Sequence, residues 1–175
     1  MPDPPASEPD VCVIAPAVSP DGAGRAVARV PLSRPTIFVR EPLAEVRLEQ
    51  QGRRLWSSQA GAAGPIHGPI AWPLPPLGPQ HSLLLRLRPQ GAAADAFATI
   101  ELQSADAGTL ARGDALLQGL GKDPLAWQRS IRAQLERGDL ALATALLFAF
   151  EGPSDPELDA LRRSVFQQGC TPSGQ

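Results

Sequence analysis

The sequence is poor in the side chains that most often bind metals. Its 175 residues include only two histidines, His67 and His81, and two cysteines, Cys12 and Cys170. Neither cysteine belongs to a Cys-x-x-Cys pair, so the spacings typical of zinc sites cannot be assembled. We therefore expect no metal site and no cofactor. The two cysteines lie near opposite ends of the chain and either form one disulfide or remain free thiols.

A clear excess of charge of either sign is also lacking. Lysine and arginine total 16 against 18 for aspartate and glutamate, which gives a formal net charge of −2. Lys122 is the only lysine, so arginine supplies almost all of the positive charge. Without a strongly basic composition there is no electrostatic reason to expect nucleic acid or an anionic membrane as the main partner.

Targeting and membrane-spanning patterns are missing too. The first ten residues, MPDPPASEPD, lack the basic and then apolar pattern of a signal peptide. No apolar run approaches the ~20 residues that a helix needs to cross a bilayer, so we expect no integral membrane segment. The expected compartment is the cytoplasm, or an extracytoplasmic one if a leader precedes this start.

Motifs of the common enzyme classes are absent. There is no Gly-x-Ser-x-Gly elbow, and Ser33, Ser57 and Ser58 stand in turn or strand-end contexts where serine is common. The stretch PDGAGRA, residues 20–26, has two glycines but no Lys-Ser or Lys-Thr after them, so it is not a phosphate-binding loop. These absences argue against a hydrolase or a nucleotide-binding enzyme.

Isolated reactive side chains carry the remaining enzyme hypothesis. Cys12 paired with a histidine would make a cysteine nucleophile, but its apolar strand context favours a buried or disulfide-bonded cysteine. His67 is predicted to lie in a loop and His81 to begin a strand. We therefore predict no catalytic residue and no enzyme activity.

Aromatic and acidic side chains have structural explanations as well. Trp56 and Trp72 would form a platform for a sugar or peptide if exposed, but at strand positions tryptophan is typical of the core. The carboxylates of the second half lie mostly at predicted helix starts, where capping explains them. These carboxylates are Asp114, Asp123, Asp139, Asp155 and Glu157.

Proline and glycine, by contrast, are abundant, with 20 and 16 residues, and favour numerous turns. From residue 11 to 103 apolar residues recur with a period near two, interrupted every ~8–12 residues by Pro or Gly. In residues 44–50, Val46 and Leu48 lie on a predicted buried face, and Glu45 with its charged neighbours lies on a solvated one. The other candidate strands cover residues 11–18, 26–32, 36–40, 53–58, 69–74, 82–88 and 96–103.

Turn residues connect these strands. Gly52 is placed to supply the positive φ of a tight hairpin turn after residue 50. Six prolines between residues 61 and 79 forbid a central strand there but allow an edge strand around residues 70–74. Seven or eight short strands in about 95 residues fit a β-sandwich of the immunoglobulin or fibronectin-III type.

After residue 104 the period changes to about 3.6, which predicts helices. Asp123 as N-cap, Pro124 at the first helical position and Gly138 as the stop define one of them. Its predicted apolar stripe is Trp127, Ile131 and Leu135. A weaker helix precedes it over residues 107–121, with Gly113 and Gly119 in its interior.

Two more helices are predicted towards the C-terminus. The first begins at Asp139, runs through Phe150 and ends at Gly152. The second carries a Ser-x-x-Glu capping box at Ser154 and Glu157. Its predicted apolar face is Leu158, Leu161 and Val165.

The helical half resembles a degenerate tetratricopeptide hairpin. Trp127 stands at that family's early aromatic position, Gly138 and Asp139 at the turn, and Ala143 at the small position of the second helix. Only about one and a half such units are present, and a solenoid needs about three repeats to stand alone. We therefore expect this hairpin to bury one face on the sandwich.

The order of features along the whole chain resembles a family of mostly cyanobacterial proteins, domain of unknown function nine-two-eight. The corresponding stretches are Cys12 with VIAPAV, RPTIFVREP, AEVRLEQQGRRLW, GPIAWPLPPLGPQHSLLLRL and the tail from Trp127 to Ala143. The chain departs from the family in keeping only Phe38 of the aromatics after Pro35, and in lacking the usual secretory leader. The resemblance implies an extracytoplasmic protein of the periplasm or cell envelope, and it implies no catalytic residues.

Together these observations predict an α+β fold. An N-terminal all-β sandwich of the immunoglobulin or fibronectin-III type spans residues 11–103, and a tetratricopeptide-like region of three to four helices spans residues 105–168. Disordered tails are predicted at residues 1–10 and 169–175.

The predicted function is that of a non-catalytic binding or scaffolding protein of the bacterial envelope. Its partner would be a protein or peptide, held at the sandwich edge or in the helical groove. The alternatives are a cytoplasmic adaptor that uses the helical hairpin and a hydrolase with an unrecognised site. The sequence leaves the oligomeric state open.

Overall fold

A computed structural model describes residues 7–170 and has the α+β fold expected from the sequence, with an N-terminal β-sandwich and C-terminal helices. The smaller sheet contains β1 (Val13–Ala15), β4 (Ile37–Val39) and β7 (Pro69–Ile70). The larger sheet contains β2 (Val18–Pro20), β3 (Ala26–Val30), β5 (Leu43–Gln50), β6 (Arg53–Gln59), β8 (Ser82–Pro89) and β9 (Ala98–Ser104). Parts of the predicted tails, residues 1–6 and 171–175, lie outside the described residues.

The two sheets differ in size and in strand order. In the larger sheet the order is β2-β3-β9-β8-β5-β6, and in the smaller sheet it is β1-β4-β7. All neighbours are antiparallel except β3 and β9, which run parallel. The β5–β6 turn has positive φ at Gln51 and Gly52, as a two-residue hairpin turn requires, and the prediction at Gly52 is confirmed.

The sandwich core lies between the two sheets. Leu48, Leu85 and Ile100 form one row across β5, β8 and β9, and each is at most 4% exposed. From the smaller sheet, Ile37 and Val39 point into the same core. The alternation seen in the sequence thus places one face of each strand in this core.

Four helices follow the last strand. They are α1 (Ala107–Leu120), α2 (Pro124–Glu136), α3 (Leu140–Leu147) and α4 (Pro156–Gln168). The predicted N-caps Asp123 and Asp139 are confirmed, because each carboxylate accepts a hydrogen bond from a first-turn backbone N–H. None of the helices within residues 7–170 is long and apolar enough to cross a lipid bilayer.

The helices cover the outer face of the smaller sheet. Phe38 lies between Ile37 and Val39 on β4 and therefore points the opposite way, towards the helices. There it joins a second core with Ile14 of β1 and Trp127 of α2. The smaller sheet consequently lies between the larger sheet and the helices.

Two further contacts fix the helices to the sandwich. Gly113 of α1 lies against the backbone carbonyl of Pro31, where a Cβ atom would clash, so this glycine permits a close approach. Cys170, just after α4, forms a disulfide with Cys12 with their Cα atoms 5.7 Å apart. The bond settles the alternative left open by the sequence and joins residues 158 positions apart.

Two helical predictions are wrong in detail. Helix α3 ends at Leu147, so Phe150 lies beyond it instead of within it. The N-cap of α4 is Asp155, which accepts from the N–H groups of Glu157 and Leu158, whereas Ser154 bonds to Asp159. The predicted Ser154 capping box therefore does not form.

The apolar stripe of α2 also differs from the prediction. Trp127 and Ile131 are buried, as expected, but Leu135 is 49% exposed and Gln134 is 7% exposed. A helix advances 100° per residue, so position 134, seven residues after Trp127, returns to almost the same face. Leu135 lies one residue further round and faces solvent. In the same way Leu161 of α4, predicted to be buried, is 39% exposed.

Candidate functional site

The reactive side chains singled out in the sequence do not meet. Cys12 is buried in the disulfide with Cys170, so its thiol is not a nucleophile. His67 is exposed, and His81, immediately before β8, is exposed beside Gly78. Within residues 7–170 no group of three histidine, cysteine, aspartate or glutamate side chains is placed to hold a metal ion.

The predicted serine, tryptophan and acidic candidates have local structural roles. Trp56 and Trp72 are half-buried against the sandwich core, and the Trp72 Nε1–H donates to the Pro75 carbonyl at 3.0 Å. The Ser33 backbone N–H donates to Asp114 Oδ1 at 3.0 Å, which links the sandwich to α1. Ser57 and Ser58 lie within β6, and Glu157 lies in the first turn of α4.

A charged cluster covers the outer face of the larger sheet. Arg47 Nε donates to Glu45 Oε1 at 2.6 Å, and an Arg88 nitrogen lies 3.4 Å from Glu45 Oε2. The guanidinium carbon of Arg47 lies 4.3 Å from the ring centroid of Phe97, and Arg86 stacks on the same ring at 5.1 Å. These contacts bury Glu45 to 2% exposure, so the expectation of a fully solvated face is wrong at this residue.

The charges of the cluster are partly compensated within it. The hydrogen bond from Arg47 holds the pKa of the Glu45 carboxyl below its ordinary value, against burial, which raises that pKa. Glu49 lies 3.6 Å from Arg86 and 4.0 Å from Arg47, so two carboxylates face three arginines. The Nε atoms of Arg86 and Arg88 are buried without a hydrogen-bond partner among the described residues. A stabilising role on the sheet surface accounts for this arrangement.

A cavity of about 490 Å³ opens where the smaller sheet meets α3 and α4. We call it the phenylalanine groove, because four phenylalanines from four segments line it. Phe38 comes from β4, Phe148 and Phe150 from the end of α3 and the turn after it, and Phe166 from α4. The Phe38 ring lies 5.4 Å from that of Phe148 and 5.7 Å from that of Phe166, as in tilted aromatic pairs.

Phe150 stands apart from the other three rings in its exposure. It is 57% exposed, whereas Phe148 is 7% exposed. Its backbone N–H donates to the Thr36 hydroxyl at 2.9 Å, so the backbone that carries this ring is anchored to the sandwich. A large apolar side chain is therefore held at the mouth of an apolar cavity by a fixed backbone.

Arginines border the phenylalanine groove. Arg162 donates to the carbonyls of Leu147 and Pro153 and to Asp159, which fixes it as part of the wall. The guanidinium of Arg40 lies 5.9 Å from the Phe166 centroid. Arg163 is exposed and forms no hydrogen bond or ion pair within the described part of the chain.

An edge strand borders the same groove. In the smaller sheet β7 pairs with β4 on one side only, and Pro69 of β7 lines the groove opposite Phe38. The other side of β7 presents backbone groups that no described strand covers. An edge of this kind can accept an added strand. The edge is short, because β7 contains only two residues.

Sequence reasoning missed the phenylalanine groove. The stretch LLFAFEGP reads as the end of a helix, which assigns Phe148 and Phe150 to an apolar stripe. Phe38 and Phe148 are 110 residues apart in the sequence, and no local spacing indicates that they meet. The one available signal was the pair Phe148 and Phe150, two residues apart in a chain that contains only five phenylalanines.

The chain matches no protein-family model, no curated protein and no solved structure. The resemblance to domain of unknown function nine-two-eight stays a prediction.

Proposed function

We propose that this protein is a non-catalytic binding module of the bacterial envelope that holds an extended segment of a partner protein in the phenylalanine groove. The observation that carries the proposal is Phe150, 57% exposed at the mouth of a cavity lined by three further phenylalanines. Exposed apolar surface that borders a cavity is typical of binding sites, because covering it removes apolar area from water.

The charge around the groove indicates the chemistry of the partner segment. Arg162 and Arg163 line the groove, Arg40 lies beside Phe166, and no acidic side chain is among the lining residues. An apolar anchor residue would fill the cavity, and neighbouring carboxylates would pair with the exposed guanidinium groups. We therefore assign the groove to a peptide segment that carries a large apolar residue next to Asp or Glu.

The envelope location rests on the family resemblance and is supported by the disulfide. Structural disulfides persist in oxidising compartments and are rare in the reducing cytosol. The Cys12–Cys170 pairing joins the first strand to the end of the last helix. In intact cells we expect both cysteines to resist alkylation until a reductant is added. Two thiols that alkylate freely would favour the cytoplasmic adaptor instead.

Selection of peptides tests the binding assignment. A phage-displayed library of 12-residue peptides, panned on the purified protein, should yield sequences with an aromatic or long aliphatic residue beside Asp or Glu. We expect Phe150→Asp to weaken the selected peptides at least tenfold, because it removes the exposed ring and introduces a carboxylate that competes for the groove arginines and repels the acidic residues of the peptide.

The matched control is Leu125→Asp. Leu125 on α2 is 59% exposed but does not line the groove, so its substitution should leave the affinity within twofold. Equal losses in both variants, or no peptide enrichment, would remove the assignment. A dimer seen by light scattering and dissolved by Phe150→Asp alone would show that a second copy of the chain occupies the groove.

A further inference from the structure

A second cavity, of about 810 Å³, lies among α1, α2 and α3, and we call it the arginine groove. Arg112 of α1 and Arg129 of α2 line it, together with Arg137 at the C-terminal end of α2. Asp139 is the one acidic residue among the lining groups, and it already accepts a hydrogen bond from the Leu142 N–H at 3.0 Å as the N-cap of α3. Three guanidinium groups against one carboxylate leave an excess of positive charge.

The arginines are available to a ligand. All three are exposed, and the side chains of Arg129 and Arg137 form no hydrogen bond or ion pair within residues 7–170. Arg112 donates to the Thr109 hydroxyl at 3.2 Å through one nitrogen, which steadies the guanidinium and leaves its other donors free of hydrogen bonds to the described residues. Such groups bind carboxylates through paired, charge-assisted hydrogen bonds.

Gln134 adds an amide without a partner among the described residues to the wall of the arginine groove. It is 7% exposed, lines the arginine groove, and its side-chain amide makes no hydrogen bond within the described part of the chain. The amide nitrogen and oxygen are not fully enclosed, so both can be reached by a ligand from the groove. A primary amide presents one acceptor and two donors, which matches the N–H and C=O of a peptide group.

The distance between Arg129 and Arg137 along α2 predicts the distance between the two carboxylates of the ligand. Arg129 and Arg137 are eight residues apart, which is about 12 Å along a helix axis. In an extended peptide, side chains four residues apart share one face and lie about 13 Å apart. Between the two arginines the wall is formed by small and apolar side chains such as Ala133 and Leu142, which leave room for a peptide backbone.

We infer that the arginine groove binds an extended acidic peptide segment with two carboxylates four residues apart, and that Gln134 pairs with the peptide backbone between them. This site is separate from the phenylalanine groove, since the two share no lining residue. The protein would accordingly hold two partner segments, or two parts of one partner, on different faces of its helices.

The test uses two fluorescent heptapeptides of identical composition and the full-length protein. The first, Ser-Glu-Thr-Val-Thr-Glu-Ser, has its glutamates four residues apart. The second, Ser-Glu-Thr-Val-Glu-Thr-Ser, has them three apart, on opposite faces of an extended chain. In polarisation titrations we expect the first peptide to bind at least fivefold more tightly than the second, and its affinity to fall as salt is raised.

Variants of α2 locate the binding. Arg129→Gln and Arg137→Gln should each weaken the first peptide at least fivefold, and Gln134→Met should do the same without lowering the melting temperature. Arg132→Gln is the matched control, because Arg132 is an exposed arginine of the same helix that lines a different cavity. Its affinity should stay within twofold of the unmodified protein.

Several outcomes would overturn the inference. They are absence of binding, equal affinity for both peptides, and an equal loss in Arg132→Gln, which would indicate bulk charge attraction only. Tighter binding of an alginate oligosaccharide, with the same dependence on Arg129, would assign the groove to an anionic polysaccharide instead. Loss of the first peptide in Phe150→Asp would show that the two grooves are not separate sites.

Discussion

The carboxylate of Glu45 lies on the outer face of the larger sheet, yet the residue is only 2% exposed. Arg47 and Arg88 cover it, and Phe97 lies beneath their guanidinium groups. A buried carboxylate is stable in this position because both of its oxygens receive charged donors. The arrangement shows how an alternating charged face can become partly dry through stacking on one aromatic ring.

The pKa of Glu45 predicts an acid-sensitive contribution to stability. Because its pKa is lowered in the folded state, chiefly by the Arg47 hydrogen bond, the contribution is present above the unfolded pKa. It is lost as the pH falls through the folded pKa. We expect Glu45→Gln to reduce the loss of unfolding free energy between pH 6 and pH 3, measured by urea denaturation.

The control for this prediction is Glu136→Gln, because Glu136 is exposed at the end of α2. That variant should keep the pH dependence of the unmodified protein. Identical pH profiles for Glu45→Gln and the unmodified protein would mean that the Arg47–Glu45 pair contributes nothing to acid stability.

At the scale of the element, helix α2 serves two surfaces at once. Its Trp127 and Ile131 fill the second core, and the Trp127 indole N–H donates to the Gly121 carbonyl at 3.1 Å. Its neighbouring face, with Arg129 and Ala133, lines the arginine groove. Gln134 lies between the two surfaces, which explains why a polar residue occupies a buried position.

We predict that Trp127→Ala lowers the free energy of unfolding by about 3–5 kcal/mol. The side chain is 1% exposed, so its removal leaves a cavity as well as losing a hydrogen bond. Chemical denaturation measures the change directly. Leu135→Ala on the same helix is the control and should change stability by about 0.5 kcal/mol or less, because Leu135 is 49% exposed. A near-neutral Trp127→Ala would contradict the second core.

The helix N-caps show where the local sequence is enough to predict the capping residue and where it is not. Asp123 and Asp139 were predictable because an acidic residue precedes an apolar-periodic segment and a stop signal follows. At α4 two capping residues stand side by side, and the sequence favoured Ser154 through its match to Glu157. Asp155 is the cap instead, and its carboxylate also accepts from the side chain of Gln128 of α2. Ser154 and Asp155 are both adequate N-cap residues by local sequence. The one that caps α4 is the one that also contacts α2.

At the scale of the whole molecule, the disulfide closes the chain on itself. It links Cys12, beside the first strand, to Cys170, after the last helix, and so ties the helices to the smaller sheet that they cover. The unfolded chain loses conformational freedom when residues this far apart are joined, which raises the relative stability of the folded state.

Reduction of this disulfide should lower the free energy of unfolding by about 2–5 kcal/mol, as is typical for a bond that closes a long loop. Denaturation curves with and without reductant measure the effect. A variant with both Cys12→Ala and Cys170→Ala provides the control, because reductant should not change its curve. An unmodified protein that is insensitive to reductant would contradict the structural role.

The sequence by itself determined the division of the chain into strands and helices, although residues 11–18, predicted as one strand, form β1 and β2 in different sheets. The change from a period of two to a period of 3.6 near residue 104 separated strands from helices, since each period reflects a local backbone geometry that neighbouring residues share. Proline confined β7 to an edge for the same local reason, because a missing N–H removes a sheet hydrogen bond.

The tertiary structure alone decided what each face touches. Phe38 and Phe148 meet across 110 residues, and Gln134 rather than Leu135 turns inward because α1 and α3 pack where they do. Periodicity indicates that one face of an element is buried. It does not indicate which element packs on that face, because that element is distant in the sequence. The phenylalanine groove arises from such distant contacts, and for that reason it could not be predicted from the sequence. A groove among the helices was expected, but the side chains that line it were decided by the packing of α1, α2 and α3.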